Sequence, residues 1–267
     1  MSFLGCSFHF NLSIDGAQIC LNKLNKQTEM LSLYKMNKIA KRPMEMSLPV
    51  NIHTHRFNSN NLIEVLSVDY QNFDSLPPSS LTENQHYSLA FHPMEWAPKN
   101  AVDLLKVRQL LTTKKCVAIG EAGLDKASPL STENQMDLFR SLMPVSEETQ
   151  LPIVIHCVGR WNELELLFKE RKPQSPEWVI HGFRKTKLAG KFIDLGANLS
   201  FGKALLTDQM LQQCVAQLPV DRIFLETDEA DVDLMALYEK LAELKLLPLP
   251  AIIEQLFQNF KRVFRYG

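Results

Sequence analysis

The chain has 267 residues, of which 45% are apolar and 22% charged, and its 29 basic and 30 acidic side chains leave a net charge of −1. That length suits one barrel of alternating strands and helices, for which about 250 residues is typical. The even charge balance excludes a global positive field that would gather nucleic acid. Five widely spaced cysteines (Cys6, Cys20, Cys116, Cys157 and Cys214) with no CxxC pair exclude a disulfide framework and a structural zinc knuckle.

Residues 1–46 are rich in Asn, Lys, Ser and Met and read as a loosely attached extension, with one weak helical face (Met30, Leu33, Tyr34) between Lys26 and Ile39. The opening MSFLGCSFHF lacks the basic stretch of a secretory signal, and no run approaches the ~18 apolar residues of a spanning helix, so a cytoplasmic protein with no membrane contact is expected. From Leu48 the pattern changes, and residues 47–267 read as one domain. Strands are expected at LPVNIHTH (Leu48 to His55), Leu62 to Val68, HYSLAFHP, CVAIGE (Cys116 to Glu121), LPIVIH (Leu151 to His156), WVIH (Trp178 to His181), NLSFG and RIFLETD (Arg222 to Asp228). Helices are expected over Ala101 to Leu111, over Thr132 to Thr149 with a kink or split at Pro144, and over Glu163 to Glu170 with Asn162 as N-cap. Further helices are expected over Lys185 to Leu195 ending at Gly196, and over Thr207 to Gln217 with Thr207 as N-cap. Two more follow between Val232 and Val263, broken around Pro248 and Pro250. Eight strands with helices between most of them define a (β/α)8 barrel. The stretch from Phe57 to Pro98 fits least well, because it holds no long helical pattern.

Five of these apolar runs stop on His, Glu or Asp. Strands buried on both faces read as continuous apolar runs, and functional groups of such barrels sit at the carboxyl ends of the strands. His53 and His55 lie two apart, so a strand points both imidazoles to one face. Glu121 follows a buried run, where an unpaired carboxylate would be costly; a metal ion or a paired charge resolves this, and its two oxygens suit a bridge between two ions. His156 and His181 close neighbouring strands. Asp228 ends the last strand, beside the first, and suits a ligand that also accepts a proton from water. Asp125 is placed to orient a histidine from behind. His92, Arg184 and Lys203 follow strand ends and are weaker candidates for substrate contact. Trp161, Trp178, Cys116 and Cys157 read as packing residues.

The segments NIHTH, FHP, AIGEAGLD, IVIH, VIHGF and FLETD, in that order and spacing, resemble the TatD-type metal-dependent hydrolases, a group of amidohydrolase-like barrels that includes deoxyribonucleases and phosphodiesterases. The likeness covers about residues 47–267 and extends to Asn259 and Arg262 in the closing QNFKRVF. It implies one or two divalent ions (zinc, magnesium or manganese). His53, His55 and Asp228 would hold one, His156 and His181 the other, and Glu121 would bridge. The chain departs from the family pattern at Asn51, where Asp is usual, at Ala90 and Val158, and after Asp228, where Glu229 to Val232 run almost directly into a helix in place of a longer basic loop. The expected activity is phosphodiester hydrolysis by metal-activated water, on a nucleic-acid end or a small phosphoester, with no obligate protein partner. Amide or ester hydrolysis on the same metals and a non-catalytic metal-binding barrel stand as alternatives.

Overall fold

The computed structural model describes residues 47–58, 61–75, 80–95, 103–264 and 266. The expected extension over 1–46, its helix, and the first two residues of the helix expected from Ala101 lie outside them. Each apolar run forms a strand: β1 (Val50–Thr54), β2 (Ile63–Asp69), β3 (Gln85–Phe91), β4 (Cys116–Asp125), β5 (Ile153–Val158), β6 (Trp178–Ile180), β7 (Ala197–Phe201) and β8 (Ile223–Leu225). They pair in chain order, and every ladder is parallel. A parallel bridge between Thr54 and Asp228 brings the ends of the sheet together. There the Asp228 N–H donates to the His53 carbonyl at 3.0 Å and the His55 N–H to the Asp228 carbonyl at 3.4 Å. The result is a nearly closed (β/α)8 barrel.

Helices follow most strands: α1 (Leu104–Leu110), α2 (Thr132–Thr149), α3 (Trp161–Glu170), α4 (Ala189–Asp194), α5 (Gln209–Gln217), α6 (Leu234–Lys245) and α7 (Leu249–Val263). A 3-10 helix, Tyr70–Ser75, follows β2. Among the described residues no helix is long and apolar enough to cross a membrane.

The strands divide their side chains between two cores. Ile153, Ile155, Trp178, Ile180, Ile223 and Leu225 pack outward with Leu142, Leu164, Phe192 and Leu241 of the helices. The positions between them, Val154, Val179 and Phe224, join Val50, Ile52, Ile63, Val65, Val117 and Ala118 on the inner side, met by Phe257, Phe260, Val263 and Phe264 at the end of the chain. The lower barrel is therefore filled, as burial of apolar surface requires, and polar groups are left for its mouth.

Four local expectations are corrected. Pro144 does not split α2, which runs through it with the proline on its exposed side. The N-cap of α3 is Arg160, without a side-chain bond, because the helix starts at Trp161 instead of Glu163. Asp208 caps α5 in place of Thr207, its carboxylate accepting from the Leu211 N–H at 3.1 Å; the carboxylate is the stronger acceptor for an orphan N–H. The helix expected over Lys185 to Leu195 divides into a 3-10 turn, Thr186–Leu188, and α4.

One inner residue is out of character. His86 is 5% exposed, neither ring nitrogen has a hydrogen-bond partner among the described residues, and the ring stands edge-on to Tyr266 at 5.2 Å between centroids. Burial, helped by the charge of Lys115, pushes its pKa from 6.5 down to about 4. The folded chain holds this ring neutral where the unfolded chain protonates it, so stability falls as pH drops from 6.5 to about 4. At 1.36 kcal/mol per pKa unit the loss amounts to about 3 kcal/mol. In chelator-containing buffer, the urea-unfolding free energy of His86→Leu relative to wild type should rise by that amount between neutral pH and about pH 4. A difference that stays constant with pH contradicts the assignment.

Candidate metal centre

The inner register continues upward into the mouth. His156 stands two residues beyond Val154, Glu226 two beyond Phe224, and His181 two beyond Val179, all on the inward side. The other two strands need an extra residue to do the same. Between Asn51 and Thr54, β1 advances three residues while β2 advances two, from Glu64 to Leu66. Between Ile119 and Ala122, β4 advances three residues while β5 advances two, from Ile153 to Ile155. Such bulges re-aim side chains beside functional sites; here they turn His53 and Glu121 inward. Gly123 is required next to the second bulge, because its φ is +156° and a Cβ would lie 2.0 Å from the His156 carbonyl oxygen.

Glu121 is the hub. Its Oε1 lies 2.6 Å from His156 Nδ1, 2.8 Å from His181 Nε2 and 3.2 Å from His92 Nε2. Its Oε2 lies 3.4 Å from His53 Nε2 and 3.8 Å from His55 Nε2. Asp228 Oδ1 lies 3.5 Å from His53 Nε2 and 3.4 Å from His55 Nε2. Asp228 holds φ at +54°, a left-handed conformation that aspartate tolerates better than most residues. All six ligand-type residues named from the sequence thus meet in one place. His92 comes closer than a substrate-contact role required, since it touches the hub directly. Arg184 and Lys203 are exposed, in the loops after β6 and β7, with no hydrogen bond or ion pair to the six among the described residues.

Further carboxylates stand behind the cluster. Asp125 Oδ2 lies 2.9 Å from His156 Nε2, which is the orienting role expected of it. Glu226, which sequence reasoning passed over, is 1% exposed and lies 3.6 Å from His181 Nδ1; its inward register, two before Asp228, was the available signal. Asn51 explains one departure from the family pattern. Its amide donates to Thr227 Oγ1 at 2.8 Å and to Glu64 Oε1 at 3.5 Å, while its carbonyl accepts from the Thr227 N–H at 3.0 Å. With Glu64 fully buried, an aspartate at 51 would set two carboxylates side by side. Across the mouth, Arg56 pairs with Asp231 at 3.2 Å and ties the loop after β1 to the short one after β8.

Burial alone would raise the Glu121 carboxyl; the charge of His181, the bonds from His156 and His181 and the nearby His53 ring outweigh it and hold the group well below the usual carboxylate range. His181 mirrors this: burial lowers it, but Glu121 raises it well above 6.5, with Glu226 adding to the effect. His53 is raised in the same way, burial and the charge of His181 being overcome by Asp228 and Glu121. Asp228 is depressed, burial being overcome by His53 and His55. Three overlapping sets fall within cation reach, with ligand atoms inside 4.8 Å of one another: His53, His55 and Glu121; His53, His181 and Asp228; His92, Glu121 and His156. Both nitrogens of fully buried His53 lack a hydrogen-bond partner among the described residues. Imidazoles and carboxylates in this density fit zinc or manganese.

Fold and cluster together define a (β/α)8 barrel with a built divalent-cation site at the carboxyl ends of its strands. The chain belongs to the TatD related DNase family, whose profile matches residues 54–265. An uncharacterized metal-dependent hydrolase of Haemophilus influenzae is 31% identical over 172 residues, which span 61% of this chain and 64% of that one, just under two thirds of the relative's length. A protein from a Rahnella strain named 3'-5' ssDNA/RNA exonuclease TatD is 28% identical over 142 residues, 51% of this chain and 54% of its own. The crystal structure of the TatD homologue YJJV from Escherichia coli K12 shares the fold, with a TM-score of 0.72 at 21% identity over 82% of this chain and 98% of its own. A TatD-family hydrolase from Entamoeba histolytica does so with a TM-score of 0.66 at 17% identity, over 82% and 99%.

A cation entering this cluster displaces the protons that His53 and His181 hold above pH 6.5. Affinity should therefore rise as pH increases through neutrality, and zinc uptake should release protons. Chelator-competition titrations near pH 6 and pH 8 check this; equal affinities at the two would contradict the raised histidines.

Proposed function

We propose that the chain is a divalent-metal-dependent hydrolase that cleaves phosphodiester bonds, at nucleic-acid ends or in smaller phosphoesters. The observation that carries this reading is the division of one carboxylate. Glu121 Oε1 faces His156, His181 and His92, and Oε2 faces His53 and His55, with Asp228 beside them. We assign His53, His55 and Asp228 to one ion, His156 and His181 to a second, and Glu121 to both. Bound divalent cations supply polarisation of a phosphoryl oxygen and make water a competent nucleophile at neutral pH. Asp228 accepts the proton of the attacking water. Its side chain is 42% exposed, so water and substrate both reach it, and its depressed pKa keeps it ionised. His92, 20% exposed at its side chain, lines the approach. Arg184 and Lys203 meet substrate phosphate from the loops after β6 and β7. The free thiols of Cys116, Cys157 and Cys214 fit a reducing, cytoplasmic setting.

The name of the Rahnella relative supports nucleic acid as the substrate. The net charge of −1 favours short or single-stranded ends over long duplex. In Asp228→Asn, turnover per bound ion on short single-stranded DNA or an activated phosphodiester should fall by about 10²–10⁴-fold, the usual size of a general-base contribution. Metal content and activity are measured on the same sample. Metal-loaded wild type that turns over only carboxylic esters or amides would redirect the substrate class. No turnover on any of them would leave a metal-binding barrel without catalysis.

A further inference from the structure

His156 and His181 present opposite ring edges to the hub. His156 turns Nδ1 to Glu121 Oε1 at 2.6 Å and is backed at Nε2 by Asp125 at 2.9 Å. His181 turns Nε2 to the same oxygen at 2.8 Å, and the group behind its Nδ1 is Glu226, at 3.6 Å. That is too long for a hydrogen bond, and among the described residues neither buried His181 Nδ1 nor buried Glu226 Oε2 has a partner. Glu226 itself is firmly held. Its Oε1 accepts from the Gly182 N–H at 2.6 Å, and its backbone N–H donates to the Phe201 carbonyl at 3.2 Å. Gly182 keeps φ at +55°, and a Cβ on Gly202 would lie 3.5 Å from the Glu226 Cγ. The carboxylate is thus set between two glycines, and its one ion-pair partner among the described residues is the His181 ring.

We propose that Glu226 is the positioning residue of His181, receiving its Nδ1–H and so directing the Nε2 lone pair at the cation on the Glu121 Oε1 side. This rests on the metal-dependent reading above. A metal-ligating imidazole is ordinarily backed by a carboxylate or carbonyl that fixes its tautomer and raises its basicity. Asp125 does this for His156, and among the described residues Glu226 is the group that faces His181 Nδ1. A small rotation of the ring closes the gap, since the carboxylate is held by the Gly182 N–H whereas the ring is held at Nε2 alone. A purely structural Glu226 would serve only to hold the Gly182 N–H.

Glu226→Gln separates the two roles, because the amide oxygen keeps the Gly182 bond and only the charge is lost. Full-length protein is titrated with zinc alone, by calorimetry with chelator competition. The expected result is a variant with the wild-type melting temperature and one of two zinc sites weakened about 10–100-fold. In zinc-loaded wild type, long-range proton–nitrogen-15 correlation of the histidine rings should find His181 protonated at Nδ1. Wild-type affinities at both sites of Glu226→Gln would overturn the proposal, as would a His181 that binds zinc through Nδ1 should the variant not fold. Wild type that takes up no zinc overturns the metal reading and this proposal with it, whereas two tight sites unchanged by the substitution overturn the proposal alone.

Discussion

Glu121 carries a carboxylate with 4% of its surface exposed into the middle of the barrel mouth. An isolated buried charge is costly by several kcal/mol, so the surrounding structure has to answer it. It does so with five imidazoles, those of His53, His55, His92, His156 and His181, all within 3.8 Å of one or other oxygen. Five strands, β1, β3, β4, β5 and β6, deliver the five rings and the hub from within or just past their carboxyl ends. The bulge in β4, the close approach at Gly123 and the bulge in β1 exist at the points where the hub and its partners must turn inward. Lower down, the same inward positions hold valine and phenylalanine, and the barrel is packed.

The cluster has a closed side and an open one. His53 and His181 are buried, whereas His55 and Asp228 keep 38% and 42% of their side chains exposed. Water-exposed groups gather where β8 returns to β1, the same seam that closes the sheet. Behind the buried half stand Asp125, bonded to His156, and Glu226, facing His181. The exposed half is where a substrate can arrive and where a proton can leave. One hydrogen-bonded seam, through Asn51, Thr227 and Glu64, thus both shuts the barrel and fixes the direction of approach.

Much of this was legible in the chain. Apolar runs ending on His, Glu or Asp marked five of the strand ends and all six convergent groups, because a strand buried on both faces leaves little freedom in its composition. The bulges were not legible. An added residue leaves the composition of a run unchanged and alters only its phase, so Cys116 to Glu121 read as ending at Glu121 while β4 continues to Asp125. Glu226 was hidden by its neighbour: in ETD the exposed, ligand-like Asp228 drew the assignment, and only the inward register beyond Phe224 distinguishes the glutamate. Caps were misplaced by one or two residues at Asn162 and Thr207, where several polar residues compete and tertiary packing decides the start of the helix. His92 was undervalued because a histidine before proline after a strand is as often a loop residue as a ligand.

The account stands on the division of the Glu121 carboxylate between two ions. Anomalous scattering from crystals of the full chain grown with manganese tests this most directly. The account predicts two peaks, one bounded by His53, His55, Asp228 and Glu121 Oε2, the other by His156, His181 and Glu121 Oε1. Peaks that leave Glu121 out of contact, or none in the mouth of the barrel at saturating manganese, would contradict it.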